Sequence, residues 1–265
     1  MLNLKSIFKK ENPVQISLGG QLWKVIENEG FLYCEIRYAK ERRVSFCCVE
    51  IAKGKVVWEN PQLPDDDWWM GMDMVVRDRL LLYTYEDPDR PEPKGVFALN
   101  VLSGKLVWGK KDYFCTAYSN GILYVQNSEG ETLVVDPETG AEQLSGGKER
   151  QVEELIQDHL KFPDRYNEGE THYDTVVSYI KDLLEAEPVL AVDYIEHNSN
   201  IIVSSHAKSE NRLYLYLLIM DMEGKVKHKQ LLETSLKGLS ADTFFIYSNA
   251  LIYISERTKL NLYYF

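Results

Sequence analysis

No apolar run in the chain approaches the roughly 18 to 20 residues that a membrane span requires. Residues 1–10 carry Lys5, Lys9 and Lys10 with no apolar stretch behind them, so neither a membrane partner nor a secretion signal is expected and the expected location is cytoplasmic. Cysteine is scarce: Cys34, Cys47, Cys48 and Cys115 show no paired metal spacing, which favours reduced, packed thiols over a disulfide framework. The adjacent Cys47-Cys48 pair reads as strand interior, where neighbouring side chains point to opposite faces. Histidine is scarce too, at 159, 172, 197, 206 and 228, with no i, i+4 pair and no His-x-His, so local spacing offers no metal centre. Positive charge is short, 30 Lys and Arg against 41 Asp and Glu for a formal −11, which opposes nucleic acid as a partner. Phosphate-loop, dinucleotide and nucleophile-elbow motifs are missing; Gly146-Gly147-Lys148 lacks both the upstream glycine and the Ser or Thr that a phosphate loop needs.

What the chain does have is strand chemistry. Seventeen Tyr, nine Phe and five Trp within a 45% hydrophobic composition suit pleated, half-buried surfaces. At 265 residues, one all-β domain is the better expectation than two. An apolar run follows a short polar turn five times: Phe31-Leu32-Tyr33, Leu81-Leu82-Tyr83, Ile122-Leu123-Tyr124, Ile201-Ile202-Val203 and Leu251-Ile252-Tyr253. The steps between their middle residues are 50, 41, 79 and 50. A period of about 40 to 50 residues reads as one propeller blade, and the nearly doubled step implies an insertion. Downstream of the first four runs lies a strand, a turn ending in Gly and a second strand: 49–58 and 98–108, each closing on Gly-Lys-x-x-Trp, with weaker copies at 134–144 and 219–228. Glycine there supplies a left-handed turn residue at low steric cost.

These copies resemble the A-x-D-x-x-T-G-x-x-x-W repeat of pyrroloquinoline-quinone-like propellers, the superfamily that includes quinoprotein dehydrogenases and the outer-membrane assembly scaffold propeller. The layout is also similar to a small uncharacterised bacterial family of that superfamily, known mainly as a domain of unknown function. The resemblance covers most of 20–265 and is strongest at 49–58 and 97–108. It implies a fold more than an activity, because the repeat is a hairpin recipe rather than a site.

The expected fold class is therefore all-β: a five-bladed β-propeller with a two-helix insertion between blades 3 and 4. Blades are expected over 22–59, 68–110, 113–145, 189–232 and 242–265, the last closed by 13–18, so that the final edge is not left unpaired. A competing reading makes Gly19 to Trp23 a further Gly-x-x-x-Trp hairpin. Over 146–188 the apolar period lengthens towards 3.6, with one stripe at Val152, Leu155, Ile156, His159 and Leu160 and another at Tyr173, Val176, Val177, Ile180, Leu183 and Leu184, so two helices are expected. As a link between blades they would cap the face that carries the long loops, and the site is expected there.

Candidate site residues come from three places. Asp66, Asp67, Trp68 and Trp69 combine carboxylates with indoles, able to stack a ring or hold a cation or hydroxyls, or simply to pack between blades; the run of aspartates lacks calcium-loop spacing. Arg42 and Arg43 form a small basic loop suited to an anion, or merely solvated. Tyr166, His172 and Tyr173 lie in a stretch able to supply an acid/base pair, or serve as a docked inter-helix loop. No cofactor is expected. The first functional expectation is a non-catalytic binding or scaffold propeller holding a protein or small molecule on the capped face. A hydrolase or lyase with an axial acidic site is an alternative. The resemblance would also imply a quinone-dependent dehydrogenase, but that family's enzymes typically have eight blades, an exported chain and a Ca²⁺ site, and their ligands do not map onto this sequence.

Overall fold

The computed structural model describes residues 12–63, 68–87, 90–119, 121–143, 159–241 and 243–265, the side chains of 86–93 excepted. The expected stripe at Val152, Leu155 and Ile156 lies outside them, as do Asp66 and Asp67. The chain divides into two compact units, a central one of Leu18–Ile156 and a terminal one that joins Met1–Ser17 to Gln157–Phe265. Both are antiparallel β structure, in five sheets of four or five strands.

The central unit holds three four-stranded meanders. Sheet I runs Gln21–Asn28, Phe31–Tyr38, Arg43–Glu50 and Lys55–Glu59; sheet II runs Gly71–Val76, Arg79–Asp87, Arg90–Asn100 and Leu106–Lys110; sheet III runs Tyr113–Ser119, Ile122–Asn127, Thr132–Val135 and Glu142–Gln143. Each strand pairs with its neighbour in sequence, because short hairpins leave antiparallel return as the nearest partner. The second and third strands of sheet I are buried on both faces. In sheet II the alternation separates two cores: Leu80, Leu82 and Leu99 pack with Tyr33, Phe46 and Trp58 of sheet I, whereas Leu81, Val96 and Ala98 pack with Leu123, Val125 and Val135 of sheet III. Adjacent residues point to opposite sides of the pleat, so a near-continuous apolar strand serves both.

The Gly-Lys-x-x-Trp signature becomes a joint. Trp58 Nε1 donates to the Val101 carbonyl at 2.7 Å, and Trp108 Nε1 to the Pro137 carbonyl at 2.9 Å. Each indole thus leaves the last strand of one sheet and covers the turn of the next. The turn glycines sit at φ +66° (Gly104) and +72° (Gly140), and a Cβ there would stand 2.6 to 2.7 Å from the Trp58 and Trp108 rings. Glycine is needed both for the left-handed backbone and for the indole's approach. Asx turns tighten the same bends, Asn100 accepting from Ser103 N and Asp136 from Glu138 N.

In the terminal unit, sheet IV runs Asp164–Asn167, Glu187–His197, Asn200–Ser209, Arg212–Asp221 and Val226–Thr234. Sheet V runs Leu160–Lys161, Phe244–Tyr247, Ala250–Ser255, Lys259–Tyr264 and Val14–Ser17. Val14–Ser17 lies antiparallel to the last strand, Val14 opposite Leu262 and Ser17 opposite Lys259. Ile202, Leu217 and Ile219 of sheet IV pack with Phe244, Ile246 and Tyr253 of sheet V.

The insertion differs from the two-helix expectation. Among the described residues it contains one α-helix, α1 (Thr171–Ile180), followed by a 3₁₀ turn at Lys181–Leu183. Leu160, read from its period as helical, is instead in a two-residue strand opposite Tyr247, and Asp164–Asn167 pairs with the first long strand of sheet IV. Unpaired backbone groups at a sheet edge recruit such short extended pieces, and Pro163 between them cannot continue a helix. The helix packs on sheet IV: Tyr173, Val176 and Ile180 share a buried cluster with Val192, Val203, Leu218 and Met220.

Candidate functional site

The i, i+3, i+7 stripe Tyr173, Val176, Ile180 turns one side of α1 to the sheet, leaving Thr175 and Tyr179 on the other margin. A cleft of about 420 Å³ opens along that margin, lined by Tyr166, His172, Thr175 and Tyr179 from the insertion and by Tyr194, Glu196, Ile201, Val203, Met220 and the turn Met222-Glu223-Gly224 from sheet IV. Strand register assembles the floor. Tyr194 faces Val203, Glu196 faces Ile201, and Ile201 faces Met220, so residues of three strands share one surface.

The cleft is aromatic and acidic. The Tyr194 hydroxyl donates to Glu196 Oε1, and burial, then that hydrogen bond and the carboxylate's charge, with Tyr166 and Tyr179 adding, push the Tyr194 phenol up to about 12. Tyr166, Tyr179 and Tyr194 all line the cleft. The Tyr166 and His172 rings stand 5.3 Å apart at 56°. Tyr173 is buried beneath, its hydroxyl without a hydrogen-bond partner among the described residues, and burial pushes it too up to about 12. Among the described residues, no Lys or Arg lines the cleft.

The sequence-predicted residues fall in different places. Tyr166 and His172 meet at the cleft, and Tyr173 lies in the core under it. Trp68 and Trp69 belong to the central unit, in the link that leads into sheet II. Arg37 of sheet I holds the Trp68 carbonyl, donates to the Met70 carbonyl at 2.7 Å, and lies 5.2 Å from the Trp68 ring. Arg37 Nε also donates to Glu35 Oε1 at 2.7 Å, while Glu35 Oε2 accepts from Met72 N at 2.8 Å. The link is thus tied to sheet I through a buried carboxylate. Arg42 is an exposed turn residue at φ +49°, and the Arg43 guanidinium lies 3.8 Å from the Tyr38 ring centroid.

Two polar groupings had no signal in sequence spacing. In the terminal unit, Arg165 forks onto Asp193 at 2.6 and 2.9 Å and reaches the Ser240 carbonyl at 2.7 Å, with Thr243 Oγ1 donating to the same carboxylate at 2.6 Å. His206 sits alongside. Its Nε2 accepts from Ser240 N at 2.9 Å, and its Nδ1 meets the Ala191 carbonyl at 3.1 Å; since a carbonyl only accepts, Nδ1 carries the proton and the ring is neutral. Burial accordingly lowers its pKa against the Ala191 bond. In the central unit, Lys24 Nζ donates to the Met72 and Asp73 carbonyls at 2.8 and 3.1 Å. Burial raises the Asp73 carboxyl against Lys24 and a Cys115 hydrogen bond, and burial followed by Asp73 raises the Cys115 thiol to about 12. The residues come from strands far apart in sequence, which is why no motif marks them. Among the described residues, no three His, Cys, Asp or Glu gather in a group able to hold a metal ion, and no helix is long and apolar enough to cross a membrane.

A family model described as a domain of unknown function (DUF4905) matches residues 25–108. A comparison with curated proteins gives no match. Among solved structures, the chain is similar to BamB from Moraxella catarrhalis at 10% identity, covering 91% of this chain and 83% of that one with a TM-score of 0.30. It is also similar to a member of the DUF4221 family from Bacteroides vulgatus, at 8% identity over 97% and 94% of the two chains with a TM-score of 0.33. A third similarity is to the β-propeller domain of Nup133 from Vanderwaltozyma polyspora, at 10% identity over 95% and 71% with a TM-score of 0.24. At such identities and scores the likenesses assign no activity.

Proposed function

We propose that the chain is a non-catalytic binding module whose five sheets are the blades of one propeller, and that the cleft between α1 and sheet IV is its binding site. The observation that carries the reading is the cleft itself: about 420 Å³, within the range of roughly 300 to 1,000 Å³ usual for small-molecule pockets, with an apolar floor and a few placed polar groups. The blade reading is supported by sequential meanders in every sheet, by the repeated indole joints, and by the completion of the last sheet with Val14–Ser17. The non-catalytic reading is supported by the state of the buried titratable groups. Glu35, Asp193 and His206 are each engaged by backbone or side-chain partners that cross-link elements of the fold.

The test is a thermal-shift screen of a small-molecule set against the wild type and Thr175→Trp, which places an indole in the cleft from an exposed helix position. Ligands that stabilise the wild type and lose their effect in Thr175→Trp locate binding there. Recovery of a hit in chemically altered form, at more than stoichiometric amount, would overturn the non-catalytic part. Hits indifferent to Thr175→Trp would overturn the site.

A further inference from the structure

Resting on the cleft as the binding site, we infer that its ligand presents an ammonium group on a short hydrocarbon stem, held by the rings of Tyr166, Tyr179, Tyr194 and His172 and the carboxylates of Glu196 and Glu223. Among the described residues, four aromatic rings and two carboxylates line the cleft without one Lys or Arg. A bound anion would meet two like charges and no counter-charge. A neutral apolar ligand would leave the carboxylates to be desolvated for nothing.

A cation answers both demands. Its charge faces carboxylates, and its substituents lie against ring faces that carry negative quadrupole density. The hydroxyl of Tyr194 already donates to the exposed Glu196 carboxylate, which holds it near the ring. The Tyr166 and His172 rings stand 5.3 Å apart, and Tyr179 and Tyr194 line the same cleft. Ile201, Val203 and Met220 beneath suit the hydrocarbon stem. The segment agrees at longer range: residues 171–187 carry Asp174, Asp182, Glu185 and Glu187 against Lys181, Glu185 being paired with Lys229 of sheet IV, and a cleft lined by one sign of charge concentrates counter-ions.

The experiment titrates the full chain by calorimetry with choline, with its uncharged carbon isostere 3,3-dimethylbutan-1-ol, and with the anion 3,3-dimethylbutanoate. The expected result is binding of choline at least tenfold tighter than the isostere and none of the anion, weakened about tenfold in Glu196→Gln and in Tyr179→Ala. Tyr179 is 73% exposed, so its truncation leaves the core intact. A peptide bearing trimethyllysine, run in parallel, separates a free amine from a side chain as source; tighter binding of either supports the ammonium assignment. Equal binding of choline and the alcohol, or preference for the anion, overturns the assignment while leaving the cleft as a site. Failure of every cationic probe, alongside screen hits indifferent to Thr175→Trp, overturns the cleft itself.

Discussion

The two units divide the reactive side chains between them. All five Trp and all four Cys lie in the central unit, at 23, 58, 68, 69 and 108 and at 34, 47, 48 and 115, and all five His lie in the terminal unit. Their sheets are joined differently as well. Sheets I, II and III are linked by indoles that cover glycine turns. Sheets IV and V meet through the Arg165–Asp193–Thr243 fork and a second polar contact, Tyr253 Oη donating to Gln230 Oε1 at 2.7 Å. Nothing lies within 4 Å of a Cβ at Gly224, the turn glycine of sheet IV. Among the described residues, the first strands of sheets I to III have a partner on one side only, while Glu187–His197 of sheet IV and Phe244–Tyr247 of sheet V are flanked also by Asp164–Asn167 and Leu160–Lys161 of the insertion. Buried ion pairs thus tie sheets in both units, Arg37–Glu35 reaching Met70 and Met72 in one and Arg165–Asp193 reaching Ser240 and Thr243 in the other, while the indole over a glycine turn marks the joints described in the central unit.

This contrast can be broken most forcefully at Trp58. Trp58→Ala removes a buried indole and its bond to Val101, and is expected to cost about 3 to 5 kcal/mol. Hydrogen exchange followed by mass spectrometry should show faster exchange in peptides of 18–156 and little change in 157–265. Equal acceleration in both would make the two units one cooperative body.

The converse cut is Asp193→Ala, which leaves Arg165 facing Ser240 without its carboxylate and is expected to cost about 3 kcal/mol, seen in exchange of 157–265. Because every indole is in the other unit, the tryptophan emission maximum should stay where it is in the folded variant. A red shift on this substitution would show the units to be coupled.

A gentler perturbation is acid. Burial lowers the folded pKa of His197, His206 and His228 below the unfolded value of about 6.5. Between the two values the unfolded chain binds more protons, so stability is present above about pH 6.5 and is lost as the pH falls towards the folded pKa. Chemical denaturation from pH 7.5 to 5.5, read by far-UV circular dichroism, should weaken the terminal unit before tryptophan emission responds. The opposite order would contradict the division.

The smallest expected effect is at Cys115. Its thiol is raised by burial first and by Asp73 second, so Asp73→Asn should lower that pKa and speed labelling by a thiol reagent at pH 8, with Cys34, Cys47 and Cys48 staying protected in the folded state. An unchanged rate would remove Asp73 as a partner.

Local pattern made the sheets legible and left the cleft hidden, for a physical reason. A hairpin is written in consecutive residues: Asn100 to Gly104 carry the turn and Trp108 its joint, so the period can be read directly. The cleft is written in register. Tyr194, Ile201 and Met220 become neighbours only when three strands align, and spacing along the chain does not contain that alignment. Tyr166 and His172 were noticed for their chemistry, but the partners that give them a use come from sheet IV. The alternation Val192, Tyr194, Glu196 on one face was the available signal, since it puts a carboxylate where an apolar residue would continue the pattern. Leu160 was misread because two residues beside a proline carry too little period to tell a strand from a helix end. The stripe Tyr173, Val176, Ile180 spans two full turns and predicted the face that α1 buries.

Val14–Ser17 gives the chain an order of assembly. This segment is made before the central unit, yet its partner Lys259–Tyr264 is made after it, so the pair can form only once the central unit has been synthesised. Gln15 and Asn261, which share a hydrogen bond at 3.0 Å, are 246 residues apart. Closing so long a loop costs only slightly more than closing one half its length, about 0.6 kcal/mol per doubling, but contacts this distant in sequence form late. The last sheet therefore acts as a clasp, shut only after the segments on both sides of the central unit have been made.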